Sequence, residues 1–202
     1  MSLKNHLVIM AKAPRIGRVK SRLARGIGRV GAWAFYRRTL AAVSRPLVAD
    51  RRWTTWLAVS PDNAVHDDRA WPVDCPRFSQ GNGDLGQRMG RVMDIMGPGP
   101  VIIIGADIPD IRRRHIAAAF AALGNHDAVF GPADDGGYWL VGLRRRPKIT
   151  AIFEDVRWST EHALADTCAN LPDQTKIAWL ETLVDVDDSA DLLRRQKRMR
   201  TP

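Results

Sequence analysis

Five cations crowd one short stretch near the start of the chain: Lys12, Arg15, Arg18, Lys20 and Arg22, with Pro14 and Gly17 between them. The stretch follows an apolar run, Leu7-Val8-Ile9-Met10, that reads as a buried strand. In an open α/β sheet, ligands bind in the crevice beyond the carboxyl ends of the strands. A basic, glycine-containing loop at that place suits a polyanion, and phosphate is the usual one. Gly17 would let the backbone approach a ligand closely. Lys20 offers a point charge and Arg22 a bidentate fork for phosphate oxygens, whereas Arg15 and Arg18 read as solvated surface. The loop is not a Walker-type phosphate loop, because GxxxxGK followed by Ser or Thr does not occur in it.

Four further motifs could face this loop. Gly105-Ala106-Asp107-Ile108-Pro109-Asp110 follows the apolar run Val101-Ile102-Ile103-Ile104. A carboxylate at the end of a central strand is well placed for a hard cation held on phosphate oxygens, which makes Asp107 a metal candidate. Asp110 follows Pro109 and reads as a helix cap. Gly131-Pro132-Ala133-Asp134-Asp135-Gly136-Gly137-Tyr138-Trp139 reads as an acidic hairpin tip, since Asp-Gly is a strong hairpin signal. Asp134 or Asp135 could act on an acceptor hydroxyl, Gly136 and Gly137 could admit it, and one of Tyr138 and Trp139 belongs to the core. Gln80-Gly81-Asn82-Gly83-Asp84 could contact a base or ribose, with Asp84 also a natural cap. Asp185-Val186-Asp187-Asp188 precedes the last helix, where capping is the plain reading and Asp187 could still reach a metal. His162 could reach the cleft, while His115 and His126 read as surface residues. No zinc spacing and no GxSxG occur.

The elements that must position these motifs alternate. Strands are expected over Leu3–Met10, Trp53–Val59, Pro72–Phe78, Val101–Ile104, Ala128–Phe130, Tyr138–Leu143 and Thr182–Asp185. Helices are expected over Val30–Ala49, Asp84–Met96, Arg112–Leu123, Thr160–Leu171 with Ser159 as its cap, and Ser189–Arg200. This alternation argues for a mostly parallel sheet covered on both faces, with Tyr138–Leu143 free to run antiparallel. No linker breaks the 202 residues, so one domain over 1–202 is expected.

Composition bounds the rest. The formal charge is +9, which can mean nucleic acid, but the arginines are dispersed in clusters such as Arg112–Arg114 and Arg144–Arg146. Each cluster reads as solvated surface, leaving nucleic acid a minor alternative. The two cysteines, Cys75 and Cys168, form no CxxC pair and fit reduced thiols in a cytoplasmic protein. No apolar run is long enough to span a bilayer, and the first ten residues lack the marks of a signal peptide.

In their order along the chain, Met10-Ala11-Lys12-Ala13-Pro14 through Leu23, Gln80 through Met89, Gly105 through Pro109 and Gly131 through Leu140 resemble the DUF2064 family. Its members are described as radical-SAM- or selenodomain-associated, arsenosugar-biosynthesis-type glycosyltransferases. The family is similar in turn to nucleotide-diphospho-sugar transferases of the GT-A fold, a three-layer α/β/α sandwich. The resemblance implies a nucleotide-sugar or nucleoside triphosphate bound by Ala11, Lys12, Gly17, Lys20, Arg22, Gln80, Gly83 and Asp84. It implies Mg²⁺ or Mn²⁺ on Asp107 and acceptor contacts near Asp134–Tyr138. The Asp185-to-Leu192 segment looks like the ending of nucleotidyltransferases. Because Ile108-Pro109 follows Asp107, the metal needs a second carboxylate, from Asp134, Asp135 or Asp187. Glycosyl transfer to a small-molecule acceptor is the expected reaction; nucleotidyl transfer is one alternative and a non-catalytic nucleotide- or RNA-binding module the other.

Overall fold

The structure, a computed structural model, describes residues 3–145 and 151–200. Its frame is a seven-stranded sheet in the order β3-β2-β1-β4-β6-β5-β7. The strands are β1 (His6–Lys12), β2 (Thr54–Ser60), β3 (Arg77–Ser79), β4 (Val101–Gly105), β5 (Ala128–Pro132), β6 (Tyr138–Leu143) and β7 (Ile177–Trp179). Four of the strand pairings are parallel, and β6 runs antiparallel to both β4 and β5.

Alternation along the strands sorts the core into two layers. Leu7 and Ile9 of β1, with Ile102 and Ile104 of β4, face one side. There they meet Tyr36, Leu40, Val43 and Leu47 of α1 (Ser21–Val48) and Ile116 and Ala119 of α3 (Arg113–Ala122). Val8, Val101 and Ile103 face the other side, against Met89, Val92 and Met93 of α2 (Leu85–Ile95). Leu164 and Cys168 of α4 (Ala163–Ala169) pack on that second layer. With α5 (Ser189–Arg200) closing the chain, this is a GT-A-like three-layer α/β/α sandwich.

Several boundaries differ from those expected. The first helix begins at Ser21, not Val30, so the basic loop is shorter and Arg22 stands in a helical turn. The helix is interrupted at Gly28, whose φ of 76° and ψ of 161° lie outside the helical region, and that break hides the first turns from a periodicity reading. β3 occupies Arg77–Ser79, overlapping the expected Pro72–Phe78 only at Arg77 and Phe78, and β7 occupies Ile177–Trp179. Thr182–Asp185 forms no strand and meets the sheet through a bridge from Leu183 to Ala133. Ser159 has a φ of 62° and does not cap α4; the Thr160 hydroxyl instead accepts the His162 N–H, and the helix starts at Ala163. His115 is buried beneath Trp139, not at the surface, because its Nδ1 accepts the Arg112 N–H at the start of α3. Trp53 and Trp71 belong to the core. Arg146 of the 144–146 cluster lies outside the described residues.

Candidate functional site

β1 and β4 lie side by side, and from them the strand order departs in both directions, to β2 and β3 on one side and to β6, β5 and β7 on the other. The crevice at their carboxyl ends is the switch point where such sheets bind ligands. Ala13 extends the ladder by donating its N–H to the Ser60 carbonyl, and the Trp33 indole then pins Pro14 by its carbonyl. The Tyr36 hydroxyl donates to the Lys12 carbonyl and accepts the Lys12 N–H, both at 2.9 Å. The backbone leaving β1 is therefore held from both sides before it turns at Lys20.

Lys20 is a non-glycine residue in the left-handed region, with φ 46° and ψ 54°. That turn drives its side chain inward, leaving it 6% exposed. Its Nζ donates to Asp185 Oδ1 at 3.2 Å and to Asp187 Oδ1 at 2.9 Å, and lies 3.5 Å from Asp107 Oδ1. Burial opposes the ammonium charge, but the three carboxylates outweigh it and hold Lys20 above the ordinary lysine value. Burial, reinforced by the charges of Asp187 and Asp107, pushes the Asp185 carboxyl up to about 7 despite Lys20. Burial also acts on Asp187, yet its hydrogen bond to Lys20 wins and holds it below the carboxylate range. Three carboxylates surround one ammonium, and Arg22, 3.6 Å from Asp187 Oδ2, is a second cation at the mouth of the crevice.

The crevice has two unlike halves meeting at Asp107 and Asp187. One, of about 460 Å³, is lined by Lys12, Arg18, Lys20, Arg22 and Arg88 together with Ala11 and Gln80. The other, of about 370 Å³, runs between α2, the hairpin tip and the 158–163 segment. Its lining is largely apolar and aromatic, with Asp135 and Asp185 as further charges. Gly136 lets the hairpin tip close onto that segment: a Cβ there would lie 2.3 Å from the Glu161 carbonyl oxygen.

The residues singled out in the sequence divide accordingly. Ala11, Lys12, Lys20, Arg22 and Gln80 line the basic half, although Gln80 spends its amide on the Ala58 and Ala11 carbonyls. Asp107 and Asp187 line both halves, and Asp135, Gly137 and Tyr138 line the apolar one. Gly17, Gly83, Asp84, Gly136 and His162 line neither. The Asp84 carboxylate is committed to a capping box with Gln87 at the start of α2. Asp134 points away from its neighbour, toward a separate recess with Asp110, Arg194 and Arg195. Four contributors were missed. Asp185 lies two residues from Asp187 on an extended segment, a spacing that puts both on one side. Arg18 and Arg88 carry no local mark beyond their charge, and Trp158 sits in irregular chain.

Among the described residues, no group of three or more His, Cys, Asp or Glu is arranged to hold a metal by itself. Burial pushes both free thiols, Cys75 and Cys168, above the ordinary cysteine value, so neither is poised as a nucleophile. No helix among the described residues is long and apolar enough to cross a membrane.

Known structures share this fold. The chain superposes on a candidate nucleotide-diphospho-sugar transferase from Desulfovibrio desulfuricans G20 with a TM-score of 0.86 and 28% identity, over 98% of this chain and 89% of that one. The 4-diphosphocytidyl-2C-methyl-D-erythritol synthase of Anaerococcus prevotii DSM 20548 matches in fold at 0.64, with 12% identity over 98% of both chains. A CMP:2-keto-3-deoxy-manno-octonic acid synthetase in complex with CTP matches at 0.59, with 11% identity over 97% of this chain and 98% of that one. No curated protein matches the chain in sequence. The model of the family of uncharacterized proteins conserved in bacteria, DUF2064, covers residues 43–160, from the second half of α1 through the hairpin tip. That span takes in β4 with Asp107 and the whole Gly131–Leu140 hairpin, more than half of the chain, and the chain belongs to the DUF2064 family.

Proposed function

We propose that the protein transfers a glycosyl group from a nucleotide-sugar donor to a small-molecule acceptor. The observation that carries this reading is the charge layout of the crevice: a basic half and a largely apolar half, joined at carboxylates gathered around Lys20. Lys12, Arg22 and Arg88 suit the diphosphate of a donor. An ammonium has three protons to donate, and Asp185 and Asp187 take two, so Lys20 keeps one for a phosphate oxygen. Asp107 and Asp187 offer hard oxygen ligands open to solvent, and two carboxylates completed by phosphate oxygens and water fit Mg²⁺ or Mn²⁺. Such an ion would neutralise charge on the diphosphate.

The residues then divide the work. The bond from the anomeric carbon to the diphosphate oxygen breaks, and the negative charge that develops there falls to Lys20 and Arg22. The acceptor oxygen bonds to the anomeric carbon and gives its proton to Asp135, whose Oδ1 is fixed by the Gly137 N–H at 2.9 Å. The candidate nucleotide-diphospho-sugar transferase that shares 28% identity agrees with this reading.

Nucleotidyl transfer is the second reading, favoured by the number of cations in the basic half, enough for a triphosphate. One assay separates them. The protein is screened for thermal stabilisation by nucleotide-sugars and nucleoside triphosphates, with and without Mn²⁺, and the products of the stabilising donors are analysed. Release of a nucleoside diphosphate supports glycosyl transfer. Release of pyrophosphate from a triphosphate overturns it in favour of nucleotidyl transfer.

A further inference from the structure

The two halves of the crevice differ in charge as well as in polarity, and the difference bears on what the acceptor can be. Every Lys and Arg that lines the crevice lines the basic half. Among the described residues, the other half is lined by no Lys, Arg or His, while Asp107, Asp135, Asp185 and Asp187 all face it. Its walls are Met89 of α2, Ile108 after β4, and the rings of Tyr138, Trp139 and Trp158. Tyr138 and Trp158 meet edge to face at 6.4 Å, and the Tyr138 hydroxyl is turned away from the cavity to the buried Thr167 hydroxyl at 3.3 Å. Those rings therefore offer the cavity their apolar surfaces.

A phosphorylated acceptor would bring two negative charges into a half whose four carboxylates outnumber the single ammonium, Lys20, that three of them share. Each such pair of like charges repels, and more strongly beside low-dielectric walls than in bulk water. An apolar body loses nothing there and gains by leaving water, in proportion to the area it buries. We infer that the acceptor is an unphosphorylated hydroxyl compound with an apolar body, seated between Met89, Tyr138 and Trp158 with its hydroxyl toward Asp135. The inference rests on the transferase reading for the name of acceptor, but the charge selectivity of this half can be measured apart from it.

Three probes with one body test it: 2-phenylethanol, 2-phenylethylamine and 2-phenylethyl phosphate, each titrated into the full-length protein while tryptophan fluorescence is followed. Loss of the response in Trp158→Phe locates the binding. The expected result is that the alcohol and the amine bind at least tenfold more tightly than the phosphate ester. Asp135→Lys, at an exposed hairpin tip, should reverse that order. Equal or tighter binding of the phosphate ester, or no binding of the alcohol, overturns the inference. A parallel titration with UDP and GDP keeps the two readings apart. Loss of nucleotide binding with alcohol binding intact would sink the donor reading alone, and the reverse pattern would sink the acceptor class alone.

Discussion

Two sets of aspartates share seven residues at the start of the last helix, and the fold uses them in opposite ways. Asp188 and Asp191 are satisfied locally. The Asp188 carboxylate accepts the N–H groups of Ala190 and Asp191, and Asp191 accepts those of Asp187 and Asp188. Asp185 and Asp187 reach instead across the sheet edge to Lys20, a residue more than 160 positions earlier. Local caps relieve orphan N–H groups and carry little strain. The distant set is less balanced, since three carboxylates share one buried ammonium. Residue type is the same in both; what differs is whether backbone donors within one turn exhaust the oxygens. The oxygens left over are those that can meet a ligand.

Removing the ammonium is the sharpest way to break this contrast. Lys20→Met leaves Asp107, Asp185 and Asp187 facing one another. Since Asp107 and Asp187 remain partly solvated, the cost should be about 2 kcal/mol, below that of a fully buried pair. Transfer should fall about 100-fold or more, as when a donor to developing charge is lost. Denaturant unfolding and initial rates measure the two effects. Mg²⁺ should then raise the melting temperature of the variant more than that of the wild type. An equal rise would show that the carboxylates do not share a cation.

A smaller effect follows from Asp185. Its proton is held up to about 7 in the folded chain, against about 3.9 when unfolded. Between these values the native state binds more protons than the unfolded one, so the group's contribution to stability falls as pH rises and is lost above about 7. Asp185→Asn has no proton to lose. With EDTA present, the variant should gain on the wild type by more than about 1 kcal/mol between pH 5 and pH 8, read from denaturant midpoints. A pH-independent difference would mean that Asp185 is an ordinary solvated carboxylate.

The same contrast explains what could be read in advance. Strong local signals carried through: the β-branched run of β4, the stripe of Met89, Val92 and Met93 on α2, and the antiparallel turn of β6. The basic loop and Asp107 were legible because strand ends in such sheets converge on one crevice. What was hidden depends on long-range geometry. Asp185 looked like one more acid before a helix, since nothing in its neighbours tells which carboxylates find backbone donors. Asp134 and Asp135 are equivalent in type, but the turn at the hairpin tip sends them into different recesses, and only Asp135 reaches the crevice. Gly28 concealed the first turns of α1, and with them the position of Arg22. Arg18 and Arg88 became visible only when the walls were assembled.

The smallest effect sharpens the comparison most locally, because it separates adjacent residues. Asp188→Ala removes the acceptor for two N–H groups at the start of α5 and should cost about 1 kcal/mol, the usual value of a side-chain cap. It leaves Lys20 and its partners in place, so transfer should be unchanged. Asp187→Ala should do the reverse: little change in helix stability, but loss of metal-dependent nucleotide affinity, read by calorimetry with and without Mg²⁺. Capping at α5 and ligand binding at the sheet edge are then separate functions of neighbouring carboxylates. If Asp188→Ala impairs transfer as strongly as Asp187→Ala, the two sets act as one cluster. In that case the start of α5 is part of the binding edge and the division drawn from their hydrogen bonds fails.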